Sequence, residues 1–158
     1  MVFPDGNRKI EIEDSIIKRA SQYRQISLLS YEAGGALIGR EIISTNNLIV
    51  DQMTEPFPKD KRCRYRFYRR DPRPKSFFNQ LFSQSGGKYK YVGEWHTHPE
   101  RVPKYSSLDK NEWIKIIKDQ PDIAPIYCVI FGVEKWRVWK VKTENNNPIL
   151  IYEGQVLL

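Results

Sequence analysis

The sequence predicts an α/β fold in which helices sandwich a mixed, mostly antiparallel sheet. Short apolar or alternating segments, typical of strands, are interleaved with three segments whose apolar residues follow the 3.6-residue period of a helix. No low-complexity segment or interdomain linker divides the 158 residues. With 40% hydrophobic and 13% aromatic residues the chain can build a real core, so we expect one domain over residues 1–158.

The first half of the chain predicts one helix and a strand hairpin. A capping residue, Asp14 or Ser15, precedes apolar positions at helical spacing, and this helix is expected to end before Gly34. Residues 36–43 and 48–53 are apolar strands on either side of an asparagine pair that is typical of a hairpin turn.

The second half of the chain alternates helices with strands. We predict, in order, a helix around residues 77–82, a strand over 89–98, a helix over 108–118, strands over 126–131 and 136–141, an asparagine-rich loop over 145–148 and a last strand over 149–152. The segment 126–131 is apolar at nearly every position, so it must lie inside the sheet with both faces covered.

The positive charge of the chain is concentrated in one segment. The net charge is +7, and the pI is near 9.4. Within the basic stretch, Arg62, Arg64 and Arg66 alternate with less polar residues, as on a strand with one face in water. The pattern fits a solvated strand face and equally a docking surface for an acidic protein. The patch and the aromatic residues within it are the only signal for nucleic acid, and we expect no requirement for it.

The cysteines and the N-terminus indicate a cytoplasmic protein. Cys63 and Cys128 lie far apart and in no CxxC pair, which favours neither a disulfide framework nor a cysteine zinc site. The first residues contain no apolar signal region, and no stretch approaches the ~18 apolar residues of a membrane span. We therefore expect no association with a membrane.

The run from Gly93 to Pro99 contains both histidines of the chain and predicts a metal site. Side chains two residues apart on a strand point to the same face, so His96 and His98 can converge on one ion. Asp109 lies in the first turn of a serine-capped helix and can complete the set. Three protein ligands are typical of a catalytic zinc site with an open position. Taken separately, half-buried histidines and ordinary helix capping explain the same residues.

These residues resemble a known family. His-x-His-Pro, six residues, then Ser-x-x-Asp is the signature of the JAMM metalloproteases, the catalytic branch of the JAB/MPN domains, and the order of elements is similar over nearly the whole chain. The resemblance implies one Zn²⁺ per chain, held by His96, His98 and Asp109. It also implies that Glu32 moves the proton and that the Ser106 hydroxyl donates to the oxyanion of the tetrahedral intermediate.

The residues by themselves leave the proton carrier open. Glu94 lies two positions before His96 on the same strand face, and Glu100 follows the motif closely. The family assigns the role to Glu32. Gly34 and Gly35 beside it would allow the close backbone approach that such a position requires.

Four further segments look like one bacterial subgroup: Thr54-Glu55-Pro56, the arginine-rich stretch up to Arg70-Asp71-Pro72, Ser85-Gly86-Gly87 and the run from Gly93 to Glu100. Those relatives are deconjugases of CBASS antiphage operons. The resemblance implies an isopeptidase that removes target proteins from the extended, glycine-type C-terminal tail of a CD-NTase. We expect the tail to lie beside the metal strand, and Arg62, Arg64 and Arg66 to hold an acidic face of the partner. The alternatives are a JAMM peptidase that processes a ubiquitin-like or sulfur-carrier protein, and a non-catalytic basic binding module.

Overall fold

A computed structural model describes residues 1–143 and 147–156, and these residues form one large sheet, a small hairpin and three helices. The elements are β1 (Val2–Asp5), β2 (Arg8–Ile12), α1 (Asp14–Ser21), β3 (Gly34–Glu41), β4 (Leu48–Met53), β5 (Lys61–Cys63), β6 (Arg66–Tyr68), α2 (Arg73–Gln84), β7 (Lys90–Thr97), α3 (Ser107–Asp119), a 3₁₀ turn (Pro121–Ile123), β8 (Ile126–Phe131), β9 (Lys135–Val141) and β10 (Ile149–Gln155). Asn145 and Asn146 of the predicted asparagine-rich loop lie outside the described residues.

The large sheet has the strand order β1-β2-β4-β3-β7-β8-β9-β10. The pairs β2/β4 and β7/β8 are parallel, and the other neighbouring pairs are antiparallel. The sheet is therefore mixed and mostly antiparallel, as predicted. No helix in the described part of the chain is long and apolar enough to span a bilayer.

Helices pack on both faces of the sheet, and β8 shows how the two cores are separated. Its side chains alternate: Tyr127, Val129 and Phe131 pack with α1, whereas Ile126, Cys128 and Ile130 pack with α3. The contacts from the helices are Ile16, Ile17 and Ala20 on the first face and Trp113 and Ile117 on the second. Every residue of β8 is buried, which confirms its predicted place inside the sheet.

The structure differs from the sequence analysis in three places. The hairpin of β1 and β2 was not predicted from the sequence. α1 ends at Ser21 and a loop follows to Ala33, because the Ser27 and Ser30 hydroxyls bond nearby backbone and compete with a helix. The basic segment is two short strands around a turn at residues 64–65, separate from the large sheet.

β7 lies between β3 and β8 and is paired on both sides. His96 is opposite Gly34 of β3 and Ile130 of β8. The expectation that a substrate tail pairs beside this strand is therefore wrong, because no free edge is present there. Glycine permits the tight packing at one point of the strand: a Cβ on Gly93, whose φ is +152°, would lie 1.8 Å from the carbonyl oxygen of Tyr127.

Candidate metal centre

The three predicted ligands converge at the end of β7. The Nε2 atoms of His96 and His98 are 3.1 Å apart. Asp109 Oδ1 lies 3.3 Å from His96 Nε2, and Asp109 Oδ2 lies 3.5 Å from His98 Nε2. One possible ligand atom from each residue falls within 4.8 Å of the others. Two imidazole nitrogens and one carboxylate oxygen are a donor set that fits zinc with a coordination position left open.

Local structure fixes each of these side chains. His96 is held within the sheet, and the N–H of His98, just past the strand end, donates to the Phe131 carbonyl at 2.9 Å. Ser106 and Asp109 form a capping box at the start of α3: Ser106 Oγ accepts from Asp109 N at 3.1 Å, and Asp109 Oδ2 accepts the N–H of Ser106 at 2.6 Å. The capping box therefore aims the carboxylate toward the histidines.

Asp109 and His98 have the protonation that suits a cation, whereas the raised pKa of His96 favours a protonated form whose proton a metal ion would displace. Burial disfavours the charged form of His96, but the hydrogen bond and charge of Asp109 outweigh it and raise its pKa. Burial and the neighbouring His96 lower the pKa of His98 to about 4. For Asp109, burial is outweighed by hydrogen bonds from His96 and Ser106, so its pKa is lowered. An ionised carboxylate and a neutral imidazole are the forms that bind metal ions.

The backbone of Glu32 is fixed by the β5–β6 hairpin and, through Ala33, by the metal strand. The Glu32 N–H donates to the Cys63 carbonyl at 2.8 Å, and Arg62 Nε donates to the Glu32 carbonyl at 2.9 Å. The next residue, Ala33, exchanges hydrogen bonds with Thr97: its N–H donates to Thr97 Oγ1 at 3.0 Å, and the Thr97 N–H donates to its carbonyl at 2.9 Å. The position of this glutamate is therefore set by the residue between the two histidines.

The Glu32 carboxyl lines the same cleft as His96 and Asp109 and is 9% exposed. Burial raises its pKa to about 7, with His96 opposing the shift and Asp109 and Glu112 adding to it. The backbone of Phe67 in β6 also opposes the shift. A carboxyl that titrates near neutrality is suited to accept and return a proton.

Comparison with known proteins identifies the family. The model for prokaryotic homologs of the JAB domain matches residues 14–142. This chain is a member of that JAB family. A protein of a strain of Escherichia coli named CD-NTase/cGAS isopeptidase is 35% identical over 141 residues, covering 89% of this chain and 87% of the relative. A protein of the same name from Vibrio cholerae serotype O1 is 36% identical over 122 residues, covering 76% of this chain and 77% of that protein.

A solved structure has the same fold. The solution structure of a protein from Desulfitobacterium hafniense aligns with a TM-score of 0.58 over 89% of each chain, at 16% sequence identity. At that identity the likeness concerns the fold of the JAB domain alone.

The other two glutamates near the histidines have different surroundings in this JAB domain. Glu94 is 5% exposed, and both its oxygens are engaged: Oε1 accepts the indole N–H of Trp113 at 2.8 Å, and Oε2 accepts a hydrogen bond from Arg69 at 2.5 Å. Glu94 therefore joins β7 to α3 and to the chain after β6. Glu100 is exposed and accepts the backbone N–H of Lys104 at 2.7 Å.

Of the three predicted docking arginines, Arg66 lines the cleft of the JAB domain. Arg62 donates to the backbone carbonyls of Tyr31 and Glu32, and Arg64 donates to those of Ser27 and Leu28. Their cations hold the loop before β3 in place. Arg66 instead pairs with Glu112 of α3 at 3.2 Å.

The Arg66–Glu112 pair stands between two lobes of the cleft. One lobe, of about 460 Å³, is lined by Tyr68, Arg70, His96 and Lys115, among others. The other, of about 270 Å³, is lined by Tyr65, His98, Ser106 and Leu108, among others. Glu32, Arg66, Phe67, Asp109 and Glu112 line both lobes. A chain that crosses the metal centre from one lobe to the other passes this ion pair.

Gln25 and Arg69 hold the site together and were not found from the sequence. Gln25 is 2% exposed; its Nε2 donates to the Arg64 carbonyl at 2.6 Å, and its Oε1 accepts from the Thr97 hydroxyl at 3.3 Å. A glutamine after a helix and one arginine among many carry no sequence signal that marks them as partners of the site.

Proposed function

We propose that this JAB domain is a zinc-dependent isopeptidase of the bacterial cytoplasm that removes target proteins from the C-terminal tail of a CD-NTase in CBASS antiphage defence. The observation that carries the proposal is the convergence of His96, His98, Asp109 and Glu32 in one cleft. The names of the two relatives support the reaction class and the kind of substrate.

Glu32 would carry the proton. Zinc held by His96, His98 and Asp109 would supply a Lewis acid for the scissile carbonyl and would lower the pKa of a bound water toward ~7. Glu32 accepts a proton from the attacking water and returns it to the leaving lysine amine, so one carboxyl acts as base and then as acid. Burial of its carboxyl keeps the pKa near 7, where both transfers are feasible.

Ser106 would stabilise the oxyanion that forms when water adds to the amide. Its hydroxyl lies at the exposed start of α3 and lines the lobe that contains His98. In the structure this hydroxyl donates to Asp109 Oδ2 at 2.7 Å, so the donor is already directed into the metal centre. Loss of an oxyanion donor typically raises a barrier by about 2.7–4 kcal/mol.

β6 offers the edge on which an extended tail can lie. β7 has no free edge, whereas β6 pairs with β5 on one side and lines the cleft with Arg66, Phe67 and Tyr68. An extended peptide can add backbone hydrogen bonds to such an edge.

Cleavage assays with three fusions test the proposal. The zinc-loaded protein is given a target protein joined to a CD-NTase tail, to ubiquitin or to a sulfur-carrier protein, and cleavage of the CD-NTase conjugate is expected. Efficient cleavage of either of the others with the CD-NTase conjugate left intact would instead establish the peptidase alternative. No cleavage of any of them, together with binding to nucleic acid that falls steeply with salt, would support the basic binding module.

Matched glutamate variants identify the proton carrier. Glu32→Gln should keep one zinc per chain and lose cleavage, because it removes the titrating group while the metal ligands remain. Glu94→Gln is the control, because both oxygens of Glu94 are already bonded to Trp113 and Arg69 and it should not carry the proton. In a separate variant, His96→Ala, the protein should lose zinc. A folded Glu94→Gln protein that is inactive, beside an active Glu32→Gln protein, would refute the assignment of Glu32.

A further inference from the structure

The loop between α1 and β3 presents an unusual amount of apolar surface. Leu28 is 82% exposed, Leu29 86%, Ile26 72% and Tyr31 58%. At the neighbouring hairpin turn Tyr65 is 73% exposed. We call these five side chains the apolar rim. Several large apolar side chains exposed on one loop and the adjoining turn are a feature of protein interaction sites.

The leucines are displayed by an ordered turn. The Ser30 N–H donates to the Ser27 carbonyl at 3.1 Å, and the Ser27 N–H donates to the Ser30 hydroxyl oxygen at 3.2 Å. The Leu29 N–H donates to the Ser27 hydroxyl at 3.2 Å, and Arg64 binds the carbonyls of Ser27 and Leu28 at 2.9 and 2.7 Å. A turn that is already ordered lowers the entropy lost when a partner covers its tip.

The apolar rim adjoins the catalytic cleft. Tyr65 lines the lobe that contains His98 and Ser106, and Arg64 connects this tyrosine to the leucine turn. At the other end of the loop, Tyr31 directly precedes Glu32. A protein whose tail enters the cleft would therefore meet the rim with its folded body.

The two segments that form the rim carry mostly positive charge, although Glu112 pairs with Arg66, and Glu100 and Glu112 line the same lobe as Tyr65. Residues 22–33 and 61–66 contain five cations and one acid, the buried Glu32: Arg24, Lys61, Arg62, Arg64 and Arg66 are the cations. Complementarity requires that a partner present an apolar patch with acidic residues around it.

We propose that the apolar rim is a docking site for the folded domain that carries the substrate tail, through an apolar patch bordered by acidic residues on that domain. The inference rests on the proposed function. The tail-bearing protein is the better occupant than the released target, because it is common to all conjugates of one enzyme whereas the targets differ. Binding at the rim raises the local concentration of the tail at the cleft.

The test compares two substrates and two variants. One substrate is the full conjugate with its folded tail-bearing domain, and the other is a synthetic tail peptide joined to lysine through the same isopeptide bond. The Leu28→Ser, Leu29→Ser variant should raise KM for the full conjugate about tenfold or more, since two leucines lose their burial on binding. Its kinetics on the peptide should equal those of the parent. Ile43→Ser is the matched control, because Ile43 is 97% exposed and lies in the turn after β3.

The outcomes separate this inference from the proposed function. An unchanged KM of the double variant for the full conjugate would overturn the docking site. If KM is unchanged, and the parent protein forms a dimer that the double variant does not form, the rim binds a second copy of the chain. When the target protein of the conjugate is exchanged for another, the double variant should still raise KM. If the rise in KM occurs with one target and not with another, the choice of partner is wrong. If the parent protein cleaves neither substrate, the proposed function itself fails.

Discussion

Glu32 is a buried carboxyl whose pKa of about 7 lies above its ordinary value of 4.5. A raised pKa means that the folded state favours the protonated form. Its stabilising contribution is complete below pH 4.5 and is lost as the pH rises through 7. In the metal-free protein, ionised Glu32 therefore destabilises the fold above neutrality.

Glu32→Gln should consequently stabilise the metal-free protein at alkaline pH. At about pH 8 the expected gain in the free energy of unfolding is at most about 3 kcal/mol, and it should nearly vanish near about pH 4. Urea unfolding in the presence of a chelator at the two pH values measures the difference. An equal difference at both pH values would show that burial does not perturb the titration of Glu32.

Sequence reasoning found the three candidate ligands because their spacing places them together. His96 and His98 share a strand face, and Asp109 occupies a capping position, so local geometry brings the three residues within range. From the residues alone it could not choose between Glu32 and Glu94 as the proton carrier, because their surroundings differ only through partners that are distant in the sequence. Trp113 and Arg69 engage Glu94, and neither contact has a local sequence pattern.

At the level of elements, β7 depends on its glycine. A Cβ at position 93 would overlap the Tyr127 carbonyl and force β7 away from β8. Gly93→Ala should lower the free energy of unfolding by about 3 kcal/mol or more and reduce zinc content, because the histidine strand is displaced.

Gly6→Ala provides the comparison for that variant. Gly6 also has a positive φ, of +61°, but a Cβ there meets nothing within 4 Å. Its substitution should cost about 1 kcal/mol from backbone strain and leave zinc binding unchanged. Chemical unfolding and metal analysis compare the stability and the zinc content of the two variants. Equal losses in both variants would show that packing of residue 93 against β8 is unimportant.

The elements that the sequence did not predict are held by contacts distant along the chain. β1 and β2 are short, and β2 reaches the sheet by pairing with β4, some forty residues later. The basic segment has the alternation of one strand, yet it folds back at residues 64–65, where Gln25 and the Cys63–Glu32 contact hold the end of β5 and the turn. The long apolar strands and α3 were predicted because their own residues determine their burial.

For the molecule as a whole, the core is independent of the metal. Clusters of buried apolar side chains fill both faces of the sheet, whereas the ligands lie at one end of it. Chelation of zinc should therefore abolish cleavage and leave the tertiary near-ultraviolet circular dichroism largely intact. The free energy of unfolding should fall by no more than the contribution of zinc binding, which is about 2.7 kcal/mol when zinc is at 100 times its Kd. The melting temperature should fall accordingly. Unfolding on chelation would make the site a structural one.

The fully paired β7 has a consequence for selective inhibitors. A compound that captures the metal meets a rigid pair of histidines inside the sheet, and any protein with the same ligand set would offer it much the same target. The β5–β6 hairpin, outside the large sheet, combines arginines with aromatic rings, as in the stacking of Arg66 on Tyr68 at 4.8 Å. An inhibitor that extends from the metal onto this hairpin would therefore gain contacts beyond the ligand set, on a part of the cleft outside the large sheet.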